Sequence, residues 1–153
     1  MKTSEILASA WPIPIGEKMK RKRLHGLVGG AHQWGITSCM NGRAILVFSN
    51  PGKSKDFGYD RWEGAREDGL FHYTGQGPVG DQDISSRANK SLLRSKARGL
   101  PVHLFMSSRT DVTYFGLHQL AEDPYRWERA FDQTGQMRRV IVFHLVQVKV
   151  NQI

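Results

Sequence analysis

The run from Val140 to Val150, VIVFHLVQVKV, constrains the fold of this chain more than any other stretch. β-Branched and aromatic side chains pack well on a pleated surface and lose rotamer freedom in a helix, so the run predicts a strand. Four more segments read the same way. Ala44–Phe48 is a short apolar run between turn signals, Asn41-Gly42 before it and Asn50-Pro51-Gly52 after it. Leu70–Thr74, Pro101–Met106 and Val112–Leu117 complete the set. The segment from Glu122 to Gly135 has no decisive periodicity. One helix is predicted after Asp81 or Asp83, where Ile84, Ala88, Leu92 and Leu93 form an apolar stripe and Gly99 supplies a stop. A shorter N-terminal helix is expected around Ser4–Ala10. The fold class that follows is α+β, mostly β: a strongly curved sheet or β-barrel with one or two flanking helices, residues 1–153 forming a single domain.

Charge narrows the function. The chain has 22 Lys and Arg against 14 Asp and Glu, a formal charge of +8, which favours a polyanionic partner. The cations gather at Lys18–Arg23, Arg87–Arg98 and Arg138–Arg139. A single cysteine, Cys39, excludes an internal disulfide and a cysteine-based zinc cluster. No apolar stretch approaches a membrane span, and the start does not resemble a signal peptide, so a cytoplasmic, nucleoid-associated location is expected.

Between the strands lies a glycine-rich stretch, Gly58-Tyr59-Asp60-Arg61-Trp62, then Phe71-His72-Tyr73-Thr74-Gly75-Gln76-Gly77 and Gly80-Asp81-Gln82. Two aromatic faces, an acid and a threonine hydroxyl on a basic protein suit the grip of one extruded nucleic-acid base.

The order of these motifs resembles the SRA domain, also called YDG or SET-and-RING-associated. Gly16, Arg23, His25 and Gly35-Ile36 resemble the family's entry, and Tyr59-Asp60 its tyrosine-acid signature. Tyr73-Thr74-Gly75-Gln76-Gly77 matches its Tyr-Thr-Gly-x-Gly element. Asp81-Gln82, Asn89, Gly99-Leu100-Pro101-Val102 and Tyr114-Phe115-Gly116-Leu117 follow in the family's order. The bacterial branch joined to restriction endonucleases is most similar. The resemblance implies a PUA-like barrel that flips a modified cytosine, usually 5-methylcytosine, out of double-stranded DNA.

It also implies roles. Tyr73 and Tyr59 would stack on the two faces of the base. Thr74 and Asp60 would address its edge, with Asp60 preferred to Glu63 and Asp68, and Trp62 would cover the rim. His32, Gln33 and Trp34 would enter the duplex, Gln33 filling the vacated position. Arg21, Arg23, Lys90 and Arg94 are the expected phosphate contacts. In eukaryotic relatives a long loop after the Tyr-Thr-Gly-x-Gly element reads the opposite strand. Here only Pro78-Val79 separates Gly77 from Gly80, which predicts little dependence on CpG context or opposite-strand methylation. One buried methyl contributes about 0.8 kcal/mol, roughly fourfold in affinity, so moderate discrimination is expected.

No nuclease signature of the HNH or PD-(D/E)xK type stands out, and His32 beside His25 lacks a third metal ligand. A non-catalytic domain without cofactor or metal is expected, with a nuclease partner or domain outside this chain as its companion. An RNA-binding PUA-like module and a hydrolase of modified bases are the competing readings.

Overall fold

A computed structural model describes residues 11–149. The helix expected over Ser4–Ala10 lies outside these residues. Eight strands form one curved sheet: β1 (Lys18–Lys20), β2 (Ile36–Cys39), β3 (Ala44–Ser49), β4 (Gly64–Ala65), β5 (Phe71–Thr74), β6 (Val102–Ser108), β7 (Asp111–Phe131) and β8 (Met137–Gln147). Their order is β2-β3-β6-β7-β8-β5-β4, with β1 paired to β7. Among the described residues only β3 and β6 run parallel, and every other pair is antiparallel.

All five predicted strands are present. The ambiguous segment from Glu122 belongs to β7, whose alternation is broken midway. Between Leu120 and Tyr125 the register with β8 shifts, and Pro124, which lacks an N–H, sits inside the irregularity. A second bulge opposite Leu104 and Phe105 coincides with Gly116, whose φ of +108° is one that L side chains rarely adopt. These two breaks curve the long β7 ribbon around the core. The principal core joins Ile45, Val47, Tyr73, Leu104, Ile141 and Phe143. Each fully buried aliphatic or aromatic side chain there contributes about 1.5–3 kcal/mol.

Among the described residues three α-helices flank the sheet: α1 (Arg21–Val28), α2 (Pro51–Asp56) and α3 (Arg87–Leu93). The predicted helix is α3, with Leu92 buried and Ile84, Ala88 and Leu93 packed on the core. It starts later than expected, at Ser86, because neither aspartate caps it. Asp83 Oδ1 accepts the Ser85 N–H at 2.8 Å, and Asp81 Oδ1 accepts the Arg139 N–H at 2.8 Å. Helix α2 stands where Asn50-Pro51-Gly52 signals a turn: Asn50 caps it by accepting the Lys53 N–H at 3.2 Å, with Pro51 in its first turn.

His103 on β6 sets a pH limit on the fold. It is buried, stacked on Trp11 at 3.6 Å, with Nδ1 2.6 Å from the Tyr114 hydroxyl. Burial lowers its pKa from 6.5 to about 3, and burial also lowers that of His118. The unfolded chain therefore binds the proton that the fold excludes. Stability is present above pH 6.5 and falls as the pH drops toward 3, by about 1.4 kcal/mol per unit for His103 alone. Thermal melts between pH 7 and 4.5 are expected to show a steep fall in Tm.

Candidate nucleic-acid-base site

Strand β5 ends at one wall of a cavity of about 640 Å³. Tyr73 and Thr74 from β5, Glu63 and Tyr59 from the β3–β4 connection, and Gln33 and Gly35 from the β1–β2 side all line it. Tyr73 alternates inward on a strand paired with the buried β8, so it belongs to the core as well as to the cavity, at 2% exposure. Its hydroxyl donates to the Gly35 carbonyl at 3.1 Å and accepts from Gln76 Nε2 at 3.0 Å. Burial raises its pKa well above the ordinary value, so the hydroxyl stays neutral.

Two acids line the cavity, Asp56 and Glu63, and Glu63 is the one bonded to Thr74. A 3₁₀ turn over Tyr59–Arg61 continues to Glu63, whose N–H donates to the Tyr59 carbonyl at 2.8 Å. Residues four apart share one face of a helical turn, so Tyr59 and Glu63 both face the cavity. Asp60, the expected reader of the base edge, is exposed and is not part of the cavity lining. The turn that brings Glu63 inward rotates Asp60 outward. Asp68 is also placed elsewhere, capping the Leu70 N–H at 3.0 Å and 2.8 Å from His72 Nε2.

Glu63 is held by named donors. Oε1 accepts the Thr74 N–H at 2.9 Å, and Oε2 accepts the hydroxyls of Ser49, at 2.9 Å, and of Ser54. A carboxylate offers about four acceptor positions. Three are filled by described residues, and one remains on Oε1. Thr74 Oγ1 accepts the indole N–H of Trp62 at 2.9 Å, which leaves the threonine hydroxyl proton able to donate. Trp62 itself is 7% exposed and packs with Ala130, Val140 and Val142. It braces Thr74 from behind rather than covering the rim.

The second aromatic wall contains Phe57 beside Tyr59, their rings 5.4 Å apart. Burial raises the Tyr59 pKa, and its hydroxyl accepts from Arg138. Arg138, one of the clustered cations of the sequence, is buried. Its guanidinium also donates to the carbonyls of Gly77 and Gly80.

The Gly75–Gly77 loop that floors the site is held by buried amides. Asn89 Nδ2 donates to the Gln76 carbonyl at 2.9 Å, and its Oδ1 accepts the Gln76 N–H at 2.8 Å. Gln82 Nε2 donates to the Gly75 carbonyl at 2.7 Å, and its Oε1 accepts the Ile141 N–H at 2.9 Å. Gly75 is required by close approach: a Cβ there would lie 2.9 Å from Asn89 Oδ1 and 3.1 Å from Gln82 Oε1. Gly75→Ala is expected to cost about 1–3 kcal/mol through overpacking, measured by urea denaturation.

The loop from Gly29 to Gly35 overhangs the mouth. His32, Gln33 and Trp34 are all exposed, and Gln33 also lines the cavity. Arg21 holds this loop: it donates to the carbonyls of Ala31 and Trp34 at 3.2 and 2.7 Å and lies over Phe48 at 3.7 Å. Arg21, an expected phosphate contact, gives Nη2 to these loop carbonyls and also lines the cavity. Arg23, Lys90 and Arg94 remain exposed. Lys53 and Arg109 were not singled out from sequence. They border a second cavity of about 570 Å³, which shares Asn50, Lys53, Asp56 and Ser107 with the first.

His25 Nε2 accepts from Arg21 Nε at 3.0 Å, which leaves Nδ1–H to donate to the Gly29 carbonyl at 2.8 Å. His25 and His32 are stacked 4.5 Å apart. Among the described residues, no group of three or more His, Cys, Asp or Glu side chains could hold a metal ion. Burial pushes the Cys39 thiol up to about 12, leaving it a poor nucleophile. No helix among the described residues is long and apolar enough to cross a membrane.

The curved-sheet fold is shared with solved SRA domains. The sulfur-binding and SRA domains of ScoMcrA, complexed with phosphorothioated DNA, are 20% identical at a TM-score of 0.70, covering 93% of this chain and 42% of that one. ScoMcrA itself, a Type IV phosphorothioation-dependent restriction endonuclease, gives 20% and 0.69, covering 92% and 29%. The SUVH5 SRA domain complexed with hemi-methylated CG DNA gives 22% and 0.63, covering 93% of each chain. Residues 15–152 match the model of the ScoMcrA-like SRA domain, and the chain belongs to that family. It spans less than half the length of the ScoMcrA structures it matches. A comparison with curated proteins finds no match.

Proposed function

We propose that this domain binds duplex DNA carrying a modified cytosine, 5-methylcytosine first, by taking the flipped base into the 640 Å³ cavity. The observation that carries the reading is the one acceptor position left on Glu63 Oε1, beside a free Thr74 hydroxyl proton and between aromatic walls. Cytosine presents an N4 amino donor, whereas thymine presents O4, which a carboxylate repels. Stacking on Tyr73 and on the Phe57–Tyr59 side contributes roughly 1–3 kcal/mol per face, comparable to the few kcal/mol lost on unpairing. The domain has no catalytic part in this reading, and cleavage would belong to a nuclease partner or domain outside this chain.

Phosphorothioated DNA is the second reading, because ScoMcrA is phosphorothioation-dependent. Titrations of matched duplexes separate the two. The expected order is 5-methylcytosine DNA above plain DNA by roughly fourfold or somewhat more, with phosphorothioated DNA equal to plain DNA and RNA weaker. Phosphorothioated DNA binding more tightly than methylated DNA would reverse the assignment. Affinity is also expected to fall steeply from 50 to 200 mM salt, through contacts of Arg23, Lys90 and Arg94 with phosphates. Fully methylated, hemimethylated and non-CpG methylated duplexes are expected to bind within a few-fold of each other.

A further inference from the structure

The hairpin between β7 and β8 approaches the same cavity mouth. Gln133 at its tip lines the cavity, as Gln33 does from the Gly29–Gly35 loop. The Gln133 N–H donates to the Pro78 carbonyl at 2.9 Å, and the Gly80 N–H donates to Asp132 Oδ2 at 3.1 Å. Asp132 Oδ1 accepts from Thr134 N, Thr134 Oγ1 and Gln136 N at 2.8, 2.6 and 2.9 Å. The hairpin tip and the shortened Pro78-Val79 connection are thus stitched into one rigid rim. That rim holds Gln133 exposed, with its side-chain amide uncommitted among the described residues.

From this placement we infer that Gln133 is a specificity residue, reading the edge of the base pair next to the extruded nucleotide. The inference rests on the base-extrusion reading above. An amide carries a donor and an acceptor and pairs with a complementary base edge. The rim is prepaid in order: its turn is closed by Asp132 before DNA arrives, so little conformational freedom is lost on contact. Exposed Arg129 and Arg139 on the same hairpin match the charge of the flanking phosphates. The duplex continues on both sides of an extruded base, so an element at the cavity mouth meets its neighbours.

The test is selection from duplexes carrying one 5-methylcytosine between randomised neighbours, using the wild-type chain, Gln133→Ala and Gln33→Ala. The wild-type chain is expected to enrich one base a few-fold at one neighbouring position. Gln133→Ala flattens that position and keeps the preference for methylated over unmethylated pools. Gln33→Ala weakens binding across all sequences. Enrichment that survives in Gln133→Ala, or a wild-type chain with none, overturns the inference. A wild-type chain that fails to separate methylated from unmethylated pools overturns the base-extrusion reading as well, on a separate readout. Alanine keeps the backbone N–H that bonds Pro78, so an unchanged melting temperature confirms that the variant is folded.

Discussion

Glu63→Ala is expected to abolish selection of modified cytosine and to destabilise the domain by several kcal/mol. The substitution removes the partner of the Thr74 N–H and of the Ser49 and Ser54 hydroxyls. Each donor left unpaired and buried costs about 1–3 kcal/mol. Glu63→Gln separates the two effects. Its carbonyl oxygen can stay on the Thr74 N–H, while its amide group faces hydroxyls that can accept. What it loses is charge, and a charge-assisted hydrogen bond is roughly twice as strong as a neutral one. Affinity for 5-methylcytosine DNA is therefore expected to fall roughly fourfold, to the level of plain DNA, with plain-DNA binding unchanged and Tm nearly so. Unchanged selectivity in Glu63→Gln would remove Glu63 from the base-reading role.

Tyr73→Ala is the second large effect, and most of it is structural. The side chain is buried against Ile141, Phe143 and the rest of the principal core. Truncating an aromatic of this size costs about 3–5 kcal/mol, which in a domain of this length lowers Tm by about 10 °C. Binding falls too, through the lost stacking face. Tyr73→Phe isolates the ring: it keeps the face and removes the contacts with Gly35 and Gln76. Methyl preference in Tyr73→Phe is expected to stay within a few-fold of wild type. A collapse of preference in that variant would mean that the hydroxyl, rather than the ring, carries recognition.

The sheet was legible because hydrophobic runs on a mostly buried sheet announce themselves directly, as in Ala44–Ser49 and Met137–Gln147. The helices were less so. Helix α1 reads as a charge cluster because only Leu24, His25 and Val28 of its eight residues are buried. Asn50-Pro51-Gly52 is a turn signal and also a good helix start, and only the tertiary setting of α2 decides between them.

The site divides in the same way. Tyr73, Thr74, Tyr59 and Gln33 were singled out from sequence and are brought together in one cavity. Asp60 was preferred to Glu63 because it adjoins the tyrosine, yet adjacency places it on the opposite side of a helical turn. The four-residue spacing from Tyr59 to Glu63 held the signal, had the segment been read as helical. Arg21 and Arg138 look like surface cations in the sequence. Their guanidiniums satisfy loop carbonyls at the cavity, a role set by long-range contacts. Gln133, more than fifty residues from the tyrosine-threonine motif, joins the site only through the β7–β8 hairpin.

Extrusion of the modified base into the cavity is tested by weakening the base pair that must open. Duplexes with 5-methylcytosine opposite guanine, and opposite an abasic site, are compared in one titration. Extrusion predicts tighter binding opposite the abasic site, by roughly tenfold or more, because the few kcal/mol of pairing and stacking are already partly lost. Equal or weaker binding there would show that the base is not extruded and is read in place within the groove.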